Sequence, residues 1–317
     1  LAPMPRDDLA RGTLVAYGLR RSPSGDALSF VEIDAQRARV ARTDAIPLGG
    51  IVHDQAFTDR WYAALQIPAS PKALPALLGT SPLWWAFGWR DEGPTLILAP
   101  RGREGAPVKI RLDTSLRTAF HILNAYDDGD EVVLDAIGYE GPIHFDFLMP
   151  AAEGRPHRPG ATNRIVRIRA RPGEGAASVT PFEGASGEAP EVAPAVHGKR
   201  HRAAWFAALP GRAPEPTAYV LTHRIGRLDV ESGEVTTWDA GPRFHVSPPA
   251  FAPDPSADDP EAGWLLAWVL DLEAETTDVV VLDAHDLGAG PIARVKLGAY
   301  LPATSHSRFA PGLRVRG

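Results

Sequence analysis

The feature of this sequence that most constrains its fold is the recurrence of short runs in which polar and apolar residues alternate. Gly, Pro and Asp separate these runs, and no long window has the period of a helix, although residues 71–78 suggest a short one. Many short strands bounded by turn residues indicate a β-sandwich, a β-barrel or a β-propeller. Examples of the predicted strands are residues 13–18, 28–33, 95–100, 108–112, 131–136, 164–170, 218–222, 263–270 and 278–282.

A weak internal repeat favours the propeller among these architectures. Residues 33–36, 228–235 and 282–287 each resemble a strand that runs into an Asp-containing turn. Because a simple propeller blade takes roughly 40–45 residues, the chain is long enough for about seven blades. Residues 151–161 and 173–196, which are rich in Gly with Pro, Arg, Ala or Glu, are predicted loops.

Charge and cysteine content narrow the classes of function. Lys and Arg total 33 against 39 Asp and Glu, a formal net charge of −6, which argues against nucleic-acid binding because that needs a concentrated basic face. The absence of cysteine excludes disulfides, Cys-ligated zinc and thiol nucleophiles, and leaves His, Asp and Glu as the strong metal ligands.

No apolar run reaches the ~18 residues of a membrane span, and the first residues lack a signal-peptide layout. The sequence therefore predicts a cytoplasmic protein.

One unusually apolar segment, residues 74–89, lies outside the strand pattern. It is either core or lid packing, or a surface patch that touches a membrane or a lipophilic substrate. In the second case the protein is membrane-associated through a peripheral contact. The residues of that patch are Leu74, Leu77, Leu78, Trp84 and Trp85.

The most informative motif is residues 120–136, in which His121 precedes a turn of Asp and Gly residues and then an alternating strand. His53 and His306 lie in comparably structured segments, far from His121 in sequence. Such spacing suits a propeller whose blades each direct one inner-strand residue at a central axis. A lone histidine, however, is more often a hydrogen-bonded structural residue. The residues alone therefore leave a metal site and a structural role open.

The residues around these histidines carry a resemblance to a known family. His53-Asp54 is followed by Ala56 and Thr58, Phe120-His121 by Asn124-Ala125-Tyr126, and His306 by Phe309-Ala310-Pro311. These segments resemble the metal-binding motifs of the carotenoid cleavage oxygenases, which include the retinal pigment epithelial membrane proteins. The resemblance extends over essentially the whole chain. It implies an all-β, seven-bladed β-propeller with active-site loops covering one face, and an Fe(II) ion held by four histidines, of which His53, His121 and His306 would be three.

The chain departs from the family pattern at several positions. Met4 occupies the place of the first histidine ligand, and a thioether is a weak ligand for Fe(II). Glu188 matches a glutamate that receives the second ring N–H of a ligand, whereas Pro248 stands where another such glutamate is expected. Family members are longer at the N-terminus. The resemblance thus implies that residues 1–317 are a single, N-terminally incomplete propeller domain, which either re-closes on itself or is completed by a protein partner.

The function implied by the resemblance is that of a non-haem Fe(II) dioxygenase. Such an enzyme uses O₂ to cleave a C=C bond of a lipophilic carotenoid, apocarotenoid or stilbene-type alkene into two carbonyl products. It requires no catalytic side chain beyond the metal ligands. Two alternatives stay open: a degenerate, non-catalytic propeller that acts as a binding or assembly module, and a glycan- or protein-binding β protein whose histidines are structural.

Overall fold

The structure is a computed structural model that describes residues 4–20, 22, 25–34, 36–71, 78–79, 87–141, 163–209, 222–304, 306–310 and 312. Within these ranges the regular elements are β-strands and short 3-10 turns, with no α-helix. The expectation of an all-β chain is confirmed. Among the described residues, no helix is long and apolar enough to cross a membrane.

Twenty-four strands make up the described part of the chain. In chain order they are β1 (Arg6–Asp8), β2 (Thr13–Arg20), β3 (Ala27–Asp34), β4 (Arg39–Arg42), β5 (Ile46–Pro47), β6 (Ile51–Phe57), β7 (Trp61–Ile67), β8 (Ala69–Pro71), β9 (Phe87–Trp89), β10 (Thr95–Pro100), β11 (Val108–Arg111), β12 (Thr118–Asp128), β13 (Glu131–Tyr139), β14 (Asn163–Arg171), β15 (Ala176–Pro181), β16 (Gly187–Glu191), β17 (Ala203–Ala208), β18 (Arg224–Asp229), β19 (Val235–Asp239), β20 (Phe244–Val246), β21 (Ala250–Pro253), β22 (Gly263–Asp271), β23 (Thr276–Asp283) and β24 (Pro291–Lys296).

These strands pair as a series of antiparallel meanders. Sheet 1 contains β1–β5, sheet 2 contains β6, β7, β10 and β11, sheet 3 contains β12–β15, sheet 4 contains β16–β19, and sheet 5 contains β20–β24. β8 and β9 form a separate two-stranded ribbon. A succession of four- or five-stranded meanders is the blade-like repeat that the sequence suggested.

Within the described residues the predicted strands are confirmed except at Leu112 and Thr222, which lie outside strands, and one loop prediction is wrong. Residues 173–196 contain β15, β16 and a 3-10 turn at Pro194–Val196. Their Ala, Gly and Glu residues have low intrinsic strand preference, and pairing with β14 and β17 overrides it. The predicted loop at 151–161, most of the predicted strand at 218–222 and residues 72–77 of the predicted helix lie outside the described residues.

The chain divides into two compact units. Unit 1 comprises the described residues up to Phe182 together with His197–Arg200, and unit 2 comprises the other described residues from Glu183 onward. In unit 1, apolar side chains of sheets 1 and 2 form one buried cluster, and those of sheets 2 and 3 form another. Sheet 2 is therefore fixed on both faces, and its first strand, β6, lies against β12 of sheet 3.

Candidate metal centre

Two of the three predicted ligands meet in unit 1. His53 belongs to β6 and His121 to β12, and their ring centroids are 5.2 Å apart at an interplanar angle of 72°. His121 is only 8% exposed, and His53 is half-buried. The ring of Phe120 contacts His53 edge-on, with centroids 5.2 Å apart. Two imidazoles from distant parts of the sequence thus lie side by side, next to the ring of Phe120.

Both histidines lie at irregularities of the strand ladder. The pairing of β6 with β7 changes register between Val52 and Gln55, and His53 lies within this irregular stretch. The pairing of β12 with β13 changes register between Ala119 and Ile122, and His121 lies within that stretch. A β-bulge changes the direction in which a side chain points and is frequent beside functional sites. The bulges explain how each imidazole leaves the regular alternation of its strand.

A tyrosine fixes the backbone of the first bulge. The Tyr17 hydroxyl donates to the carbonyl oxygens of Val52 at 3.1 Å and His53 at 2.8 Å. Burial, together with the negative charge of Asp54, raises the pKa of Tyr17 well above its ordinary value. The phenol therefore stays protonated and remains a donor at physiological pH. Sequence reasoning missed this residue, because a Tyr in an alternating strand suggests only packing.

An asparagine in the second motif holds a nearby loop. The Asn124 side-chain nitrogen donates to the Lys199 carbonyl at 2.9 Å, and its oxygen accepts from the Gly198 N–H at 3.1 Å. Gly198 has φ +78°, and a Cβ there would lie 2.5 Å from the Phe57 ring. Asn124 and Gly198 therefore attach the 197–200 loop to the histidine-bearing strands.

The spacing of the paired histidines is compatible with a shared metal ion. At metal–nitrogen distances of about 2.1 Å, two imidazoles on one ion have ring centroids roughly 5 Å apart, and the observed value is 5.2 Å. The described residues contain no group of three His, Asp or Glu side chains arranged to hold a metal. The geometry thus fits a pair of ligands and leaves the rest of the set as a prediction.

The remaining predicted site residues differ in burial and in their position relative to the strands. Met4 is half-buried just before β1, and Pro248 is buried between β20 and β21. His306, in unit 2, is exposed and lies outside any strand. Glu188 is 8% exposed and, like the histidines, precedes a register shift, the one between β16 and β17. Its Oε2 accepts the N–H of Ala189, whose φ is +48°.

The apolar patch is described at only one position. Leu78 is 64% exposed. Leu74, Leu77, Trp84 and Trp85 lie outside the described residues.

One buried histidine in unit 2 had no expected role. His245, in β20, is 3% exposed, and its Nδ1 lies 3.2 Å from the Thr222 carbonyl oxygen. Burial lowers its pKa, so the ring is neutral near pH 7. The alternation of Phe244, His245 and Val246 was the only sequence signal of its strand position.

Comparison with known proteins places the chain in a family. The sequence model of the retinal pigment epithelial membrane protein family matches residues 3–311. The chain belongs to this family. The predicted membership in the carotenoid cleavage oxygenases is thereby confirmed.

Curated relatives have low identity but long alignments. The apocarotenoid-15,15'-oxygenase of Synechocystis sp. is 26% identical over 309 residues, which are 93% of this chain and 59% of the relative. The isoeugenol monooxygenase of Pseudomonas putida is 28% identical over 269 residues, covering 82% of this chain and 54% of the relative. The lignostilbene-α,β-dioxygenase isozyme III of Sphingomonas paucimobilis is 27% identical over 300 residues, covering 89% and 59%. The chain thus spans little more than half the length of these relatives.

Solved structures establish the fold. The crystal structure of cobalt-substituted Synechocystis ACO superposes with a TM-score of 0.82 and 23% identity, covering 96% of this chain and 64% of that one. An ACO/RPE65 chimera gives a TM-score of 0.83 and 23% identity, with coverage of 98% and 64%. The predicted β-propeller fold class is confirmed by this likeness.

Proposed function

We propose that this chain forms the metal-binding part of an oxygenase that uses Fe(II) and O₂ to cleave the C=C double bond of a lipophilic alkene. The observation that carries the proposal is the pairing of His53 and His121, 5.2 Å apart on two bulged strands. Family membership supports the same conclusion, because the relatives named above are oxygenases and dioxygenases.

The substrate class follows from the relatives. Their names specify an apocarotenoid, isoeugenol and a lignostilbene, which all contain an alkene conjugated to a polyene or an aromatic ring. In the proposed reaction the C=C bond breaks and each carbon receives one atom of O₂, so that one alkene gives two carbonyl products. No proton has to be gained or lost, so this reaction requires no general acid or base.

The chain's own residues hold the metal and shape its surroundings. His53 and His121 would coordinate Fe(II) as neutral imidazoles, with His306 as a third ligand and Glu188 as the acceptor of a ligand's second ring N–H. The bound ion would supply O₂ activation, which no side chain can provide. The ring of Phe120 beside His53 limits water on that side of the pair. Met4, a soft thioether, would contribute little to Fe(II) binding.

A non-catalytic binding or assembly module is the second candidate function. Two substitutions favour it: Met4 stands where the family has a histidine ligand, and Pro248 stands where the family has a glutamate that supports a ligand. The exposure of His306 favours it as well. Loss of one imidazole weakens a metal site, and a site that is too weak would leave only the propeller surface for function. The two candidates differ in one measurable quantity, the metal bound per chain.

Metal content and product formation test the proposal together. The protein is reconstituted anaerobically with Fe(II), analysed for iron, and incubated in air with a hydroxystilbene, isoeugenol and an apocarotenal. We expect about one iron per chain, and an aldehyde product from at least one substrate. His121→Ala should lose both. The control His285→Ala should keep both, because His285 is an exposed residue between β23 and β24 and is not a proposed ligand.

Two outcomes would contradict the oxygenase proposal. Iron near zero in the wild-type protein would leave the non-catalytic module as the function. Stoichiometric iron that His121→Ala retains in full would show that the metal lies elsewhere.

A further inference from the structure

A buried carboxylate connects the two histidine-bearing bulges. Asp54 follows His53 directly in β6, and its Oδ2 accepts the backbone N–H of Ile122, which follows His121, at 2.8 Å. Its Oδ1 accepts the N–H of Gln55 at 2.7 Å. The Asp54 side chain is fully buried. One side chain therefore links the residue after the first histidine to the residue after the second.

A buried arginine completes this connection. Arg6 of β1 donates from Nη2 to Asp54 Oδ2 at 3.1 Å and from Nη1 to the Leu123 carbonyl at 2.8 Å. Its Nη2 also donates to the carbonyl of Ile122. The Arg6 side chain is 10% exposed. The guanidinium thus contacts the carboxylate of one bulge and the carbonyls of the other.

The local ladder explains why side chains make these bonds. β12 is the first strand of sheet 3, and its register shifts on both sides of Ile122. Buried backbone groups need partners, and where no neighbouring strand supplies them a side chain must do so. Arg6 and Asp54 satisfy the N–H of Ile122 and the carbonyls of Ile122 and Leu123. Without Arg6 and Asp54 these backbone groups would need other partners, and the backbone of the adjacent His121 would move with them.

We propose that Arg6 and Asp54 are positioning residues that set the distance between His53 and His121, and so the metal affinity of the site. The proposal rests on the proposed function for its metal, but the distance between the rings can be measured without one. The hydrogen bonds of both residues go to each other and to backbone groups of the two bulges, so both act through the backbone.

The chain offers a matched control, a second buried ion-pair cluster in unit 1. Arg101 donates to Asp8 Oδ2 at 2.7 Å and to Glu32 Oε1 at 2.9 Å, and its side chain is fully buried. It also contacts the Thr58 carbonyl and the rings of Phe57 and Tyr62. None of these groups flanks His53 or His121. Arg101→Lys therefore measures the general cost of altering a buried guanidinium.

The first test compares Co(II) binding, followed by its visible absorption, in the wild type, Arg6→Lys and Arg101→Lys. An ammonium group cannot reproduce the forked contacts of Arg6. Displaced outer partners of metal ligands typically cost about 10–100-fold in affinity, so we expect a loss of that size for Arg6→Lys and less than about threefold for Arg101→Lys. The melting temperature of each variant is measured alongside. Equal losses in the two variants, or none in Arg6→Lys, would overturn the proposal.

The second test needs no metal. In apo protein labelled at histidine, the wild type and Arg101→Lys should show a nuclear Overhauser contact between the His53 and His121 rings, and Arg6→Lys should not. If Arg6→Lys does not fold, Arg6→Met/Asp54→Leu replaces it, since removing both charges leaves no lone buried ion. A wild type that shows the ring contact but binds no Co(II) would refute the proposed function and leave the positioning role intact. A ring contact that persists in the Arg6 variant would refute the positioning role.

Discussion

The His53–His121 pair and the His306 segment have similar support from sequence motifs but very different support from structure. The paired histidines lie on strands whose bulges are held by Tyr17, Asp54 and Arg6. His306 is exposed and lies in a segment without regular structure. The comparison teaches that a motif specifies which residue is present, whereas the surrounding hydrogen bonds determine how firmly it is placed.

The largest expected difference between the two regions is in metal retention. His121→Ala should abolish Fe(II) retention, because it removes a proposed ligand that is buried beside His53, and should leave the far-ultraviolet circular dichroism β signature nearly intact. His306→Ala should weaken binding far less than His121→Ala, since water can take the place of a proposed ligand that is exposed. Iron titration of both variants checks this. Equal loss in both would mean that the 301–310 segment is as well placed in the metal-bound protein as the pair is.

The next largest effect concerns how tightly the paired-histidine region is packed. Gly198→Ala combines a positive φ with a Cβ that would overlap the Phe57 ring, and we expect a loss of about 2–4 kcal/mol in the free energy of unfolding. Gly129→Ala is the control, because its φ is +59° but the space around it is open. It should cost only about 1 kcal/mol. Urea denaturation measures both, and equal costs would show that the 197–200 loop is loosely packed.

A smaller effect comes from acid titration of the Arg101 cluster. Burial alone would raise the pKa of Glu32, but hydrogen bonds from Arg101, Thr13 and Tyr62 outweigh it and lower the pKa to about 2 from an ordinary 4.5. A depressed folded-state pKa gives stability that is present above pH 4.5 and is lost as the pH falls towards 2.

The size of this pH effect is on the order of 1–2 kcal/mol, since Glu32 is only partly shielded from solvent. Unfolding free energy measured between about pH 5 and pH 2.5 should fall less steeply in Glu32→Gln than in the wild type. Identical slopes would show that Glu32 does not titrate with the cluster.

The sequence predicted the strands well because short alternating runs between turn residues have few other solutions. The 127–130 turn is a hairpin whose two-residue loop contains Gly129 at φ +59°, as its Asp and Gly residues suggested. The strands at 176–181 and 187–191 were missed because ladder pairing, rather than composition, forms them.

Only part of the candidate site was accessible from sequence. The motifs indicated His53 and His121, but not the bulges that turn them towards each other, because a register shift depends on the partner strand. The contacts of Arg6 and Asp54 with residues 122 and 123 join segments far apart in the chain. No local pattern encodes them.

X-ray absorption of the Fe(II)-loaded protein tests the central claim most directly, because it counts the imidazoles bound to the metal. The account predicts at least two imidazoles in the wild type and no iron bound at this site in His53→Ala/His121→Ala. Coordination by oxygen alone, or an unchanged spectrum in the double variant, would contradict it.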